Sequence, residues 1–200
     1  PALFDRAVAY LDGRGCRTVS LDSVPRAVPF YETRGFRPVC RSLRLRGAPA
    51  GAVGGGIRPV TAADLPAIRE IDRRAFGGDR SFFLERRAGL YPTLAWLKSS
   101  AGRISGYIFG RRRQGFAWAG PWWADPDDAR PGALLAAFAS GAGEAEVRLG
   151  VLEANVRAVA LVSRLGFAAS PKASLRMVRG EGGTLGADPA LLAVGTAAKG

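Results

Sequence analysis

The chemistry open to this chain is bounded first by a side chain it lacks. There is no histidine among its 200 residues, which removes mechanisms built on an imidazole base or a histidine metal ligand, the usual serine and cysteine triads included. Two cysteines, Cys16 and Cys40, are too few for a four-cysteine zinc site and read as small buried residues of a reducing compartment. Five features remain: Tyr31 within FYETRGF (30–36), Asn155 opening NVRAVALVSRLGF (155–167), Asp22 closing a short apolar segment, the cluster Trp118, Trp122 and Trp123, and the acidic stretch DPDDARPG (125–132). Each also has a plain structural role. A helix tyrosine can rest half-buried with its hydroxyl in water, and an asparagine before an apolar run is a natural N-cap. Tryptophans on a strand serve a core as readily as a pocket wall. Asp22 can cap a loop, and Asp125, Asp127 and Asp128 suit the positive end of a helix dipole. Glu144, Glu146 and Glu153 have no partner in the sequence and read as surface charges.

The elements that must position these groups follow from periodicity. Pro1 to Leu11 carries Leu3, Phe4, Ala7, Val8, Tyr10 and Leu11 at helical spacing, and proline suits a first helical turn. Arg17 to Leu21 reads as a buried strand, Val24 to Arg34 as a short helix broken by Pro25 and Pro29, and Phe36 to Arg46 as a strand. Residues 47–56, GAPAGAVGGG, hold five glycines and no core-forming side chain, which makes them a flexible linker and a boundary. Beyond it come a strand at Ile57–Val60, helices at Ala62–Phe76 and Ser81–Ala88, and strands at Thr93–Lys98, Ile104–Arg111 and Gly115–Ala124. A helix at Pro131–Ser140, a strand at Glu146–Val151, a helix at Asn155–Arg164, a strand at Ser174–Arg179 and a last segment at Leu191–Thr196 complete the pattern.

The order of elements repeats. ALFDRAVAYL matches ALLAAFASGA, TVSLD matches EVRLG, FYETRGF matches LVSRLGF, and SLRLRG matches SLRMVRG, so residues 2–47 parallel residues 133–180. The expected organisation is therefore a partial first unit over 1–47, a linker over 48–56 and a second, complete unit over 57–200.

Strand, two helices, three antiparallel strands, helix, strand, helix, strand, strand is an α/β arrangement on a mixed sheet, and it resembles the GNAT superfamily of N-acetyltransferases. Asn155–Phe167 is similar to that family's penultimate helix, N-x-x-A-x-x-L-Y-x-x-x-G-F, and Phe30–Phe36 resembles the same motif. Gly120-Pro121, expected just after a fourth strand, is similar to a pair found in bacterial tandem-GNAT proteins. The resemblance implies acetyl-CoA as donor and an amine as acceptor, with direct attack and no covalent intermediate. It makes Tyr31 the acid that protonates the departing thiolate, while the matching position in the second unit is Val162. It makes Asn155 a cofactor ligand, where the first unit has Val24. The family's phosphate-binding loop would end at Pro1 and Ala2 in the first unit and correspond to 125–132 in the second, where three aspartates oppose a pyrophosphate. Trp122 and Trp123 fall where the family binds acceptors, and Asp22 would orient the amine. A catalytic first unit on a degenerate second unit is the expectation; a non-catalytic binding or homodimerisation module is the alternative.

Charge adds little to either reading. The formal charge is +12 and the pI about 11.0, yet all but three of the 29 basic residues are arginine in a chain crowded with alanine and glycine, as a GC-rich coding sequence gives. Arg111–Arg113 reads as a solvated hairpin tip. No specific nucleic-acid partner is expected, and no apolar run approaches a membrane span; the cytoplasm is the expected compartment.

Overall fold

The computed structural model describes residues 2–49, 51–143, 146–171, 173–181, 183 and 185–195. The first 47 residues form α1 (Ala2–Gly13), β1 (Thr18–Ser23), a 3-10 turn (Pro25–Ala27), α2 (Val28–Glu32) and β2 (Arg37–Gly47). Pro25 and Pro29 each sit in a first turn, where the missing N–H is not needed; hence two short helical pieces replace the one expected. Next come β3 (Ile57–Pro59), a 3-10 turn (Ala62–Asp64) and α3 (Leu65–Phe76), started by a capping box between Thr61 and Asp64. Then follow α4 (Ser81–Leu90), β4 (Trp96–Ser100), β5 (Arg103–Arg113), β6 (Phe116–Ala124) and α5 (Gly132–Ala142). β7 (Val147–Leu152), α6 (Val156–Arg164), β8 (Ala168–Ala169), β9 (Ser174–Gly180) and β10 (Leu191–Ala193) end the described chain. The strand expected from Thr93 begins at Trp96 because Pro92 opens a 3-10 turn. Thr196, in the last expected segment, and Pro1 lie outside the described residues.

One mixed sheet runs through the molecule in the order β1-β9-β2-β7-β6-β5-β4-β3, with β8 beside β2 and β10 beside β6. Among the described strands only β6 and β7 pair in parallel. The sequence boundary at the linker is not a boundary in the sheet. β2, from before the linker, lies between β7 and β9, both from after it, and β9 lies between β1 and β2. The repeat is in register with this exchange: Leu21 faces Met177 while Leu149 faces Leu45, and Ser42 faces Ser174.

Successive side chains of β5 serve opposite layers, as strand geometry requires. Ile108 packs with Leu134, Leu135 and Phe138 of α5 and Leu161 and Val162 of α6. Tyr107 and Phe109 pack on the other face with Ile68 of α3, Leu84 of α4 and Leu97. Gly110 belongs to the α5 layer, where a Cβ would lie 2.2 Å from the Phe138 ring; the glycine lets the helix seat on the sheet. In the opposite layer Asp72 accepts from Arg80 and from the Tyr107 hydroxyl. All three side chains are buried, and burial foremost, with the Asp72 charge beside it, holds the Tyr107 phenol well above its usual range.

The exchange seam carries a charged tie. Arg176 of β9 donates from Nε to Asp22 of β1 at 2.5 Å, Ser42 of β2 donates to the same carboxylate at 2.6 Å, and both charged side chains are at most 2% exposed. Asp22→Ala leaves a buried guanidinium without its anion and is expected to lower stability by about 3–5 kcal/mol. Asp12→Ala removes an exposed partner of Arg179 and is expected to leave stability nearly unaltered. Urea unfolding of the two variants checks the contrast; equal losses would contradict it.

Candidate functional site

The sheet opens where β6 and β7 part. They pair in parallel only at Ala117–Val147, Trp118–Arg148 and Ala119–Leu149. β6 then passes through Gly120-Pro121, so this pair lies inside the strand rather than after it. Beyond that point the gap is occupied by the chain's own segment 190–194. Leu191 pairs with Trp123 and Ala193 with Trp122, the Ala124 N–H donates to the Ala190 carbonyl at 3.0 Å, and the Val194 N–H donates to Gly150 of β7 at 3.0 Å. Gly120 makes room for it: φ is 136°, and a Cβ there would lie 2.3 Å from the Val194 carbonyl oxygen. Leu191, Leu192, Ala193 and Val194 are all buried, and burying each large side chain contributes about 1.5–3 kcal/mol. Val162, Leu192 and Ala193 belong to one apolar cluster.

Further polar ties hold the segment. Asn155 caps α6, its Oδ1 accepting from the Ala158 N–H at 2.9 Å, while its Nδ2 donates to the carbonyls of Leu191, Pro189 and Asp188 at 3.1, 3.3 and 3.4 Å. Arg157 of α6 donates to the carbonyls of Ala124, Asp125 and Pro189. The Trp118 indole donates to the Gly195 carbonyl at 2.7 Å.

A cleft of about 570 Å³ opens beside this plugged gap, between the start of α5 and α6. Arg130, Arg157 and Arg164 line it, and Gly51 and Ala52 of the linker cover part of it. Its acidic wall is not the one expected from the sequence. The Asp128 carboxylate, 4% exposed, pairs with Lys98 and accepts from the Arg130 N–H, and Asp125 accepts from the Asp127 N–H. Two of the three aspartates thus fold their own loop instead of opposing an anion. Lys98 and the three arginines carry no pattern in the sequence, because their grouping depends on α5 and α6 meeting.

Other sequence-expected residues are dispersed. Tyr31 is half-buried in an aromatic nest, its ring 5.3 Å from Phe4, 5.1 Å from Phe30 and 6.0 Å from Phe36. Its hydroxyl bonds to no described residue. Ala2 is exposed at the start of α1. Asp22 is closed in its ion pair with Arg176. Trp122 is a fully buried core residue, whereas Trp123 stacks on Tyr107 and lines a separate cleft with Ile71 and Ala190. Cys16 is exposed and Cys40 half-buried, so the two are not the buried pair expected. Burial lifts the Cys40 thiol above its usual value. Among the described residues no group of three or more acidic or cysteine ligands could hold a metal, and no helix is long and apolar enough to cross a membrane.

Among the described strands the one parallel pair splays open, and α5 starts beside the splay. The family model described as an acetyltransferase (GNAT) domain matches residues 68–188, and the chain belongs to that family. β10 lies beyond the matched stretch. Among solved structures, a candidate acetyltransferase from Pyrococcus horikoshii is similar, with TM-score 0.75 and 24% identity over 98% of this chain and 64% of its own. A GCN5-related N-acetyltransferase from Sphaerobacter thermophilus matches with TM-score 0.58 and 22% identity over 84% of this chain and 62% of its own. This chain thus spans under two thirds of either protein. A search of the curated proteins finds no match.

Asn155→Ala removes both a helix cap and three carbonyl ties to residues 188–191, one of them in β10. A cap contributes about 1 kcal/mol and buried acceptors left unpaired cost about 1–3 kcal/mol, so urea unfolding is expected to show a loss of about 2–4 kcal/mol. A loss below about 1 kcal/mol would mean that Asn155 is a cap and nothing more.

Proposed function

We propose that this chain belongs to an N-acetyltransferase that moves acetyl from acetyl-CoA to an amine, and that it contributes the C-terminal half of a catalytic first unit together with a second unit serving as scaffold. The observation that carries this assignment is a contrast between two equivalent strands. β7, matched by the repeat to β1, faces a gap filled by β10. β1 ends the sheet, with no described strand on its outer edge. One edge is closed by β10, and the equivalent edge of β1 has no strand beside it among the described residues.

Three further features support the same division. Ser42 and Ser174 are equivalent in the repeat and face each other across β2 and β9, as a two-fold relation between the units requires. Leu3 on α1 is 84% exposed while its counterpart Leu134 on α5 is fully buried, so α1 offers an apolar face that residues upstream of position 1 would cover. The aromatic position of the helix motif is Tyr31 beside the open edge's unit and Val162 beside the plugged one. A phenol with a free hydroxyl can protonate a departing thiolate, and a valine cannot. Asp22, tied to Arg176, would act in this scheme by fixing β1 rather than by touching the amine. Trp123, half-buried beside a cleft, keeps a place among acceptor contacts, and Trp122 supports it from the core.

For the second unit, Arg130 before α5 and Arg157 and Arg164 of α6 can attract the phosphates of a CoA, but no room remains between β6 and β7 for its pantetheine arm. Displacing Leu191, Leu192 and Val194 would return roughly 5–9 kcal/mol of apolar burial to water. Titration calorimetry of CoA into the 200-residue chain is therefore expected to give a dissociation constant weaker than about 1 mM, and low-micromolar binding would reverse the roles of the two units. In the polypeptide that includes the upstream half, Tyr31→Phe is expected to lower kcat by about 10- to 1,000-fold with little change in acetyl-CoA affinity. An unchanged kcat would remove Tyr31 from the mechanism. No acetyl transfer to any of a panel of small amines and peptide N-termini would favour the non-catalytic dimerisation module, which the plugged second cleft already fits.

A further inference from the structure

Away from the splay, at the far end of β5 and β6, arginines gather without acids. A recess of about 230 Å³ between α4 and the end of β5 is lined by Arg86, Arg87, Arg111 and Arg113 together with Phe83 and Tyr91. Outside the recess some arginines are paired with acids and, among the described residues, others are not. Arg34, Arg41, Arg58, Arg69, Arg73, Arg80, Arg148, Arg176 and Arg179 each meet a carboxylate. The four in the recess meet none among the described residues, and the acid nearest in sequence, Glu85, is taken by Arg69.

Two of the four are only partly solvated. Arg87 and Arg111 are half-buried, and the Arg111 Nε is buried without an acceptor. Burial first, and then repulsion by Arg111 and Arg113, pulls the Arg87 guanidinium below its ordinary range. Burial and then Arg113 do the same to Arg111. Both shifts mark positive charges held together without a counter-ion. A compositional excess of arginine would scatter such charges over the surface, whereas here they converge on one concavity, with Arg111 also set 6.0 Å over the Trp118 ring. The tip expected to be solvated is solvated only at Arg112 and Arg113.

We propose that this recess is a binding site for the phosphate group of a small phosphomonoester, separate from the acetyl-transfer cleft. Guanidinium forks match the oxygens of a tetrahedral dianion and bind it through charge-assisted hydrogen bonds. The recess admits a phosphate and a short organic stem; the Phe83 and Tyr91 rings lie 4.8 and 5.9 Å from the Arg87 guanidinium and hold it in place, and Leu90 adds an apolar side chain to the lining. The anion supplies acceptors for the guanidinium N–H groups that line the recess and relieves the repulsion between Arg87 and Arg111.

Calorimetry and thermal unfolding of the 200-residue chain with inorganic phosphate, glycerol 3-phosphate and glycerol test the assignment. Glycerol 3-phosphate is expected to bind with a dissociation constant of about 0.1–2 mM and to raise Tm, inorganic phosphate to bind more weakly, and glycerol not at all. Inorganic phosphate binding as tightly as the ester would overturn the phosphomonoester in favour of free phosphate. The double substitution Arg87→Gln with Arg111→Gln is expected to weaken binding by at least about tenfold. Arg26→Gln, which removes one exposed charge elsewhere, should leave it unaltered. Because the double variant relieves like-charge repulsion, its Tm at low salt should equal or exceed that of the parent, which separates loss of binding from loss of fold. Binding that survives the double substitution, or that is lost instead with Arg130→Gln and Arg164→Gln, would overturn the proposal. So would a chain that ignores glycerol 3-phosphate but binds duplex DNA through Arg87 and Arg111.

Discussion

The structure depends on strand exchange across the middle of the sheet. β2 can complete its hydrogen bonding only between β7 and β9, and β9 only between β1 and β2. β1 and β2 therefore do not pair with each other, and β9 is cut off from the run β7-β6-β5-β4-β3 that also follows the Gly-rich linker. One of the buried ion pairs lies at this exchange. Asp22, Ser42 and Arg176 come from three adjacent strands of the seam, and the Asp22 carboxylate makes the burial of the Arg176 guanidinium tolerable, although the Arg176 Nη2 has no partner among the described residues. Unpairing a buried member is costly in a way that unpairing an exposed ion pair is not, so the seam fixes the register of all the strands that meet there.

From that seam the consequences run outward to the cleft. With β7 held by β2 on one side, its other edge meets β6 for three residue pairs and then diverges. An open splay of this kind leaves backbone donors and acceptors of both strands in need of partners. In this chain β10 answers them, with Gly120 giving it space and Asn155 and Arg157 tying down its approach. The replacement of the motif's tyrosine by Val162 goes with the same change, since a valine packs into the apolar cluster that β10 creates. At β1 no described segment plays that part.

Much of the fold is legible in the sequence because it rests on local signals. The Gly-capped ends of helices, the alternation along β5 and the match of SLRLRG with SLRMVRG place nearly every element to within a few residues. Those same repeats cannot say which strand sits beside which, because exchanged and unexchanged sheets bury the same faces. The candidate site is less legible. Tyr31 and Asn155 stand out by motif, but the tie from Asn155 to residues 188–191 joins positions over thirty apart. Asp125, Asp127 and Asp128 look like an obstacle to an anion because a sequence shows charge without direction; Lys98, thirty residues away, turns Asp128 inward. Arg111–Arg113 looks like a solvated tip for the same reason, since only the packing of α4 brings Arg86 and Arg87 beside it.

The central claim is that segment 190–194 is a resident strand in the gap between β6 and β7, not a flap that yields to a cofactor. Hydrogen–deuterium exchange at the amides of Ala124 and Val194, followed with and without acetyl-CoA, tests it most directly, because these N–H groups donate across the two edges of that strand. Slow exchange of both in the free protein, unaltered by acetyl-CoA at millimolar concentration, is the result this account predicts. Rapid exchange in the free protein, or a change in their protection when acetyl-CoA is added, would contradict it.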